Sequence, residues 1–167
     1  MSDAIALEAT KTTDLTPEEG KRIVAAAATW LDTKYALMGA ASSKGESGRA
    51  DCSGSTWRIY EEAGFPYRYQ ATATFLNYVK DSGRFRELKP EEARQDGDVL
   101  FWPGHIAISS SFTTADSQWA NFTRKSKPQH VTNDMWSATH PGGAPFGPAI
   151  SAYWFGGRHP RVFRYQK

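Results

Sequence analysis

The spacing of apolar residues changes character once along this chain. Up to about Gly83 they recur every three or four positions, the period of helices; beyond it they fall in short runs. Thr16-Pro17-Glu18-Glu19 opens the first helix. Thr16 and Glu19 have capping-box spacing, and Pro17 takes the first helical position. Ile23, Ala27, Trp30 and Leu31 form one apolar face and predict a helix to about Asp32. Trp57, Tyr60 and Ala63 lie three apart and predict a second helix, starting beside Cys52 with Ser53 and Ser55 as caps. Gly64 stops it. A third covers Thr72 to Lys80, with Phe75, Leu76 and Val79 inward and Ser82-Gly83 after it.

The second half reads as strands. Phe85 to Leu88 is a short one, and Asp96-Gly97-Asp98 is a turn. Val99 to Trp102 is a buried strand, broken by Pro103-Gly104. His105 to Ser109 is the next. Ser110 to Thr114 should turn the chain, and Ala115 to Trp119 should return as the antiparallel neighbour. Residues 140–149 carry three Gly and three Pro and read as loop; Ile150 to Trp154 and Arg161 to Tyr165 are closing strands. Helices first and an antiparallel sheet after them make an α+β domain, with the N-terminal helices packed on one side of a central sheet. Residues 1–14 are polar and unpatterned and read as a loose arm. Residues 15–167 show no repeat and no linker and read as a single domain.

Composition narrows the picture only a little. The chain has 167 residues, 40% hydrophobic and 23% charged, enough for one domain with a real core. A net charge of +2 demands no nucleic-acid partner. One cysteine excludes an internal disulfide framework. No apolar run approaches the roughly 18 residues that span a bilayer, so no membrane span is expected. Met1 to Leu15 has no basic start followed by an apolar core, and is not expected to be a secretory signal.

The lone cysteine changes the picture more. A free cysteine is often a small buried hydrophobe. Cys52 instead stands between Asp51 and Ser53-Gly54, polar or small neighbours that predict an accessible strand-to-helix corner. Backbone N–H groups and the positive end of the helix dipole favour a thiolate there. A nucleophilic thiol needs a base. Of His105, His130, His140 and His159, only His105 begins an apolar strand after a Pro-Gly break. A third polar group should fix the imidazole tautomer. The expected returning strand offers Asp116, then Gln118 on the same face, then Ser117. The Cys52 backbone N–H and the Tyr35 hydroxyl are candidate oxyanion donors, although Tyr35 also reads as an ordinary half-buried aromatic. A single Cys with scattered His residues lacks the paired spacing of a zinc site, so neither metal nor cofactor is expected.

Taken in order, Tyr35, Asp51-Cys52-Ser53-Gly54, Gly97-Asp98-Val99-Leu100-Phe101 and Gly104-His105-Ile106-Ala107-Ile108 resemble the NlpC-type cell-wall cysteine peptidases. The blocks span Tyr35 to Gln118, half the chain. Cysteine before histidine sets them apart from the lecithin:retinol acyltransferase-like group. The resemblance implies a papain-like fold, Cys52 as nucleophile, His105 as general base, Tyr35 at the oxyanion site, and Asp51 and Ser53 against substrate. It implies cleavage of a peptidoglycan stem-peptide amide, usually between D-glutamate and the following diamino acid. Many members carry a second histidine as third residue; this chain has none there, which leaves Asp116 as the substitute. From about Lys125 onward the chain does not match the family core. A small wall hydrolase without a secretion signal is also similar to amidase effectors of type VI secretion, which act in a rival's periplasm and are matched by a cognate immunity protein. Two other functions fit the same residues: a cysteine acyl-transfer enzyme acting on protein, and a non-catalytic binding module on the same scaffold.

Overall fold

The computed structural model describes residues 12–31, 33–112, 133–137, 147–149 and 159–167. Among them the order is α1 (Pro17–Ala28), β1 (Lys34–Tyr35), a 3-10 turn (Gly39–Ala41), β2 (Arg49–Ala50), α2 (Cys52–Glu62), α3 (Thr72–Ser82), β3 (Phe85–Glu87), β4 (Val99–Trp102), β5 (His105–Phe112), β6 (Asn133–Ser137), β7 (Gly147–Ala149) and β8 (Arg161–Tyr165). Strands β3 to β8 form one antiparallel sheet in the order β3-β8-β4-β5-β6-β7. The architecture is α+β, with three helices among the described residues.

Strand alternation assigns the sheet's two faces. Val99, Phe101, Ile106, Ile108, Trp136 and Phe163 join a core with Ile23, Ala27, Ile59, Tyr60 and Phe75 from the helices. Leu100, Trp102, Ala107 and Met135 form a smaller buried cluster on the other face. No helix among the described residues is long and apolar enough to cross a membrane.

Helix α1 starts as expected: Thr16 accepts the Glu19 N–H at 3.2 Å, and Glu19 accepts the Thr16 N–H at 2.9 Å. It ends at Ala28, four residues early. Trp30 is still buried, carried inward by the turn that follows rather than by the helix. Helix α3 ends at Gly83, whose φ of +66° is a left-handed cap that glycine adopts without strain.

The sheet departs from expectation at β5. This strand runs on to Phe112, so Ser110 to Phe112 are strand and not turn. Its antiparallel neighbours are β4 and β6, with Ile108 opposite Val99 on one side and Trp136 on the other. The expected partner, Ala115 to Trp119, lies outside the described residues, and β6 takes the pairing it was expected to make. Gly147–Ala149, read as loop from its Gly and Pro, pairs with β6. Strand β8 closes the sheet between β3 and β4 as its apolar alternation suggested, while Ile150 to Trp154 lie outside the described residues. The end of the expected loose arm is tied down: Asp14 bridges Gln166, and the Lys167 N–H donates to the Thr13 carbonyl at 2.9 Å.

Candidate active site

The corner before α2 begins with a short parallel pairing. Strand β1 lies beside β2 with Tyr35 opposite Ala50, two residues before the cysteine. The chain then turns at Asp51, which is the helix N-cap. Ser53 and Ser55 are inside the first turn; the Ser55 hydroxyl donates to the Asp51 carbonyl at 2.8 Å. Both lie past the cap position, and Asp51, the last extended residue before the helix, supplies the capping oxygen.

Asp51 does more than cap. Its Oδ1 accepts the Gly54 N–H at 2.8 Å and the Ser53 hydroxyl at 3.3 Å. Its Oδ2 accepts the N–H groups of Met38 at 3.0 Å and Gly39 at 2.6 Å. One buried carboxylate thus joins the 36–41 segment to the helix start, and its lone pairs are taken by its own chain. Gly54 is enforced sterically: a Cβ there would sit 2.1 Å from Ser42 Oγ and 2.2 Å from the Gly39 carbonyl oxygen. The Gly39-to-Gly48 stretch, read as flexible, is anchored further by Gly45 N–H to Thr33 Oγ1 at 2.9 Å and Ser43 N–H to the Arg49 carbonyl at 2.9 Å.

Cys52 faces the sheet. The backbone N–H groups of Ile106, Ser53 and Cys52 itself lie near its sulfur and favour its anion. The thiol therefore meets β5 at Ile106, on the helix-facing side of the sheet, whereas strand alternation places His105 on the opposite face with Trp102 and Ala107. The structure thus brings the two candidates to neighbouring positions of one strand but not their side chains to one face. The histidine begins β5 across a two-residue turn. Trp102 is its cross-strand partner, the two rings 5.7 Å apart, and Gly104 takes φ +85°. Pro followed by a positive-φ Gly is the sequence a type II turn requires.

The electrostatics differ from the sequence expectation. Cys52 is only 9% exposed and His105 4%, so the corner is enclosed, not open. Burial pushes the Cys52 thiol up from its ordinary value, opposed by the three N–H groups. Burial likewise holds the His105 imidazole down at about 4. At neutral pH the pair is a neutral thiol and a neutral imidazole, not a thiolate–imidazolium pair. The helix N-terminus favours the anion, but desolvation is the larger effect here.

Tyr35 is half-buried, and its phenol is pushed up by burial and then by nearby Cys52 and Asp51, which puts it at this corner. Tyr69 is a residue that sequence reasoning missed. Its hydroxyl lies 3.4 Å from that of Ser53, and its ring stands edge-on to Trp57 at 5.5 Å. Nothing in the spacing of Tyr67-Arg68-Tyr69 marks it, because the contact depends on how the 65–71 segment folds back over α2. Leu37, 84% exposed, and Met38 project from the segment that Asp51 holds.

His159 is exposed; His130, His140, Asp116, Ser117 and Gln118 lie outside the described residues. Beside β5 the described neighbours are β4 and β6. The glycine and aspartate of the Gly97-Asp98 block serve the scaffold. Gly97 packs on Gly20 of α1, where a Cβ would come within 2.7 Å of the Gly20 Cα, and its carbonyl accepts the buried Tyr60 hydroxyl. Asp98, fully buried, is clasped by Arg164 through bonds of 2.9 and 2.8 Å. Compared with protein-family models, with curated proteins and with solved structures, the chain matches none.

Proposed function

We propose that this protein is a cysteine amidase of papain-like fold, related to the NlpC-type peptidases, and that it hydrolyses an amide of the peptidoglycan stem peptide. The observation that carries the reading is the place of Cys52 at the capped start of α2, packed against the start of β5 near the Ile106 N–H. His105 is the neighbouring residue of that strand, and its imidazole, which rests beside Trp102, must turn to the sulfur for the reaction. Tyr35 at the same corner adds to it.

In the proposed reaction, substrate binding brings the scissile carbonyl to Cys52. A neutral His105 takes the thiol proton, and the sulfur attacks the carbonyl carbon. The Cys52 backbone N–H and the Tyr35 hydroxyl receive the developing oxyanion. The imidazolium returns its proton to the departing amine, leaving a thioester. Water, deprotonated by the same imidazole, hydrolyses the thioester and restores the thiol. The raised thiol and lowered imidazole make this proton transfer uphill in the resting site, so substrate binding has to stabilise the charges it creates.

The bond assigned is that between D-glutamate and the diamino acid. Purified stem peptides test it: wild type should cleave them, and Cys52→Ala and His105→Ala should each abolish cleavage while keeping the circular dichroism spectrum. Cleavage that survives Cys52→Ala would overturn the reading. We further propose the role of an effector delivered to a rival's periplasm, with a cognate immunity protein as partner. Export of the chain to the periplasm of a Gram-negative host should lyse cells, and the Cys52→Ala form should not; equal toxicity of the two would contradict it.

A further inference from the structure

Strand-like alternation in the 65–71 segment separates two functions. Tyr67 and Tyr69 turn inward, toward the core and Ser53. Arg68 and Gln70 turn the other way and, with α3, line a surface groove of about 270 Å³. The α3 wall is a helical stripe at i, i+3, i+4, i+7 and i+8: Thr74, Asn77, Tyr78, Asp81 and Ser82. Phe75, Leu76 and Val79 occupy the opposite, inward face. The two walls are locked together. The Tyr78 hydroxyl accepts the Arg68 N–H at 3.3 Å, the Arg68 guanidinium lies 5.8 Å from the Tyr78 ring, and Trp57 Nε1–H holds the segment by the Tyr67 carbonyl at 2.8 Å. This makes a shaped groove where α3 alone would offer only a solvated face.

The lining selects its ligand. Every side chain in it carries a hydrogen-bonding tip, which disfavours an apolar guest. One cation and one anion leave no net charge for a phosphate. A single carboxylate is too few for a divalent cation. These properties suit a neutral molecule dense in groups that both donate and accept, met by two amides, three hydroxyls, a carboxylate, a guanidinium and an aromatic ring. We propose that this groove binds a saccharide ring and, resting on the peptidoglycan reading above, that it holds the substrate's glycan strand while the attached peptide enters the Cys52 corner. The groove lies on the outward side of the 65–71 segment, whose inward side sets the Tyr69 hydroxyl 3.4 Å from that of Ser53, the residue after Cys52.

The test uses an N-acetylglucosamine trimer as probe, titrated into the whole protein carrying Cys52→Ala and followed by backbone amide shifts. Saturable shifts should map to residues 68–82, and the exposed double substitution Asn77→Ala/Asp81→Ala should weaken binding about tenfold, the loss of two hydrogen bonds. Absence of saturable shifts, or binding unchanged by the double substitution, would overturn the proposal. With Cys52 intact, the double substitution should slow cleavage of sacculi and leave cleavage of sugar-free stem peptide unchanged; equal slowing of both would also overturn it. Should wild type cleave neither substrate, the amidase reading fails, and the titration still decides the groove.

Discussion

At Asp51 an isosteric change has an unusual consequence. Asparagine caps helices about as well as aspartate. Here all four partners of the carboxylate are donors: two N–H groups on Oδ2, an N–H and a hydroxyl on Oδ1. An amide NH2 must face at least one N–H. Asp51→Asn should therefore lower unfolding stability by about 2 kcal/mol, read by urea denaturation; a change near zero would show that the second oxygen is not needed. The thiol gives the second prediction at this scale. Burial raises the Cys52 pKa and lowers that of His105, so alkylation by iodoacetamide should be slow at pH 7 and still climbing above pH 9. A rate already on a plateau near pH 6 would mean a thiolate–imidazolium pair. The sequence singles out Cys52 and His105 through their neighbours, but not the face of β5 on which the imidazole falls. It could not make their protonation legible, because burial arises from segments distant in the chain.

The elements were read best where local chemistry decides them. The capping box of α1, the inward face of α3 and the strand Val99–Trp102 follow from spacing alone. The misreadings arose where pairing across the chain decides. Ser110 and Ser111 look like a turn, yet β5 runs through them to Phe112, held along β6 with Ser109 opposite Met135 and Phe112 opposite Asn133. Gly147–Ala149 looks like loop and pairs with β6. Asp98 shows the same principle in a side chain. It reads as a turn residue, and its partner Arg164 is 66 positions away. Arg164 is 11% exposed in its side chain and Asp98 not at all. Arg164→Met should cost about 3–5 kcal/mol by leaving a buried carboxylate unpaired, while Arg164→Met with Asp98→Leu should recover much of it. Equal destabilisation of the single and double variants, in urea unfolding, would contradict this.

Across the whole molecule the two chain ends and the site share a sensitivity to acid. Arg86 and Gln166 hold the Asp14 carboxyl down at about 2, and Lys167 with Thr16 holds Glu19 at about 2. In each case the unfolded chain binds the proton more tightly, so stability rises with pH. His105 adds the same sign, since its imidazole takes a proton near 6.5 when unfolded and near 4 when folded. Stability should fall as pH drops from about 6.5 to 4, by about 3 kcal/mol for His105. It should fall again toward pH 2 as the carboxylates protonate. Thermal unfolding across that range checks it, and His105→Gln should remove the first stage only. A midpoint flat between pH 7 and 4 would show that His105 is not buried as neutral imidazole.

The central claim is that the Cys52 corner cleaves peptidoglycan peptides. Its most direct measurement is digestion of purified sacculi, with released fragments read by mass spectrometry, for wild type beside Cys52→Ala. Fragments from wild type alone, with masses that end at D-glutamate, are the predicted result. Absence of fragments from both, or the same fragments from both, would contradict the account.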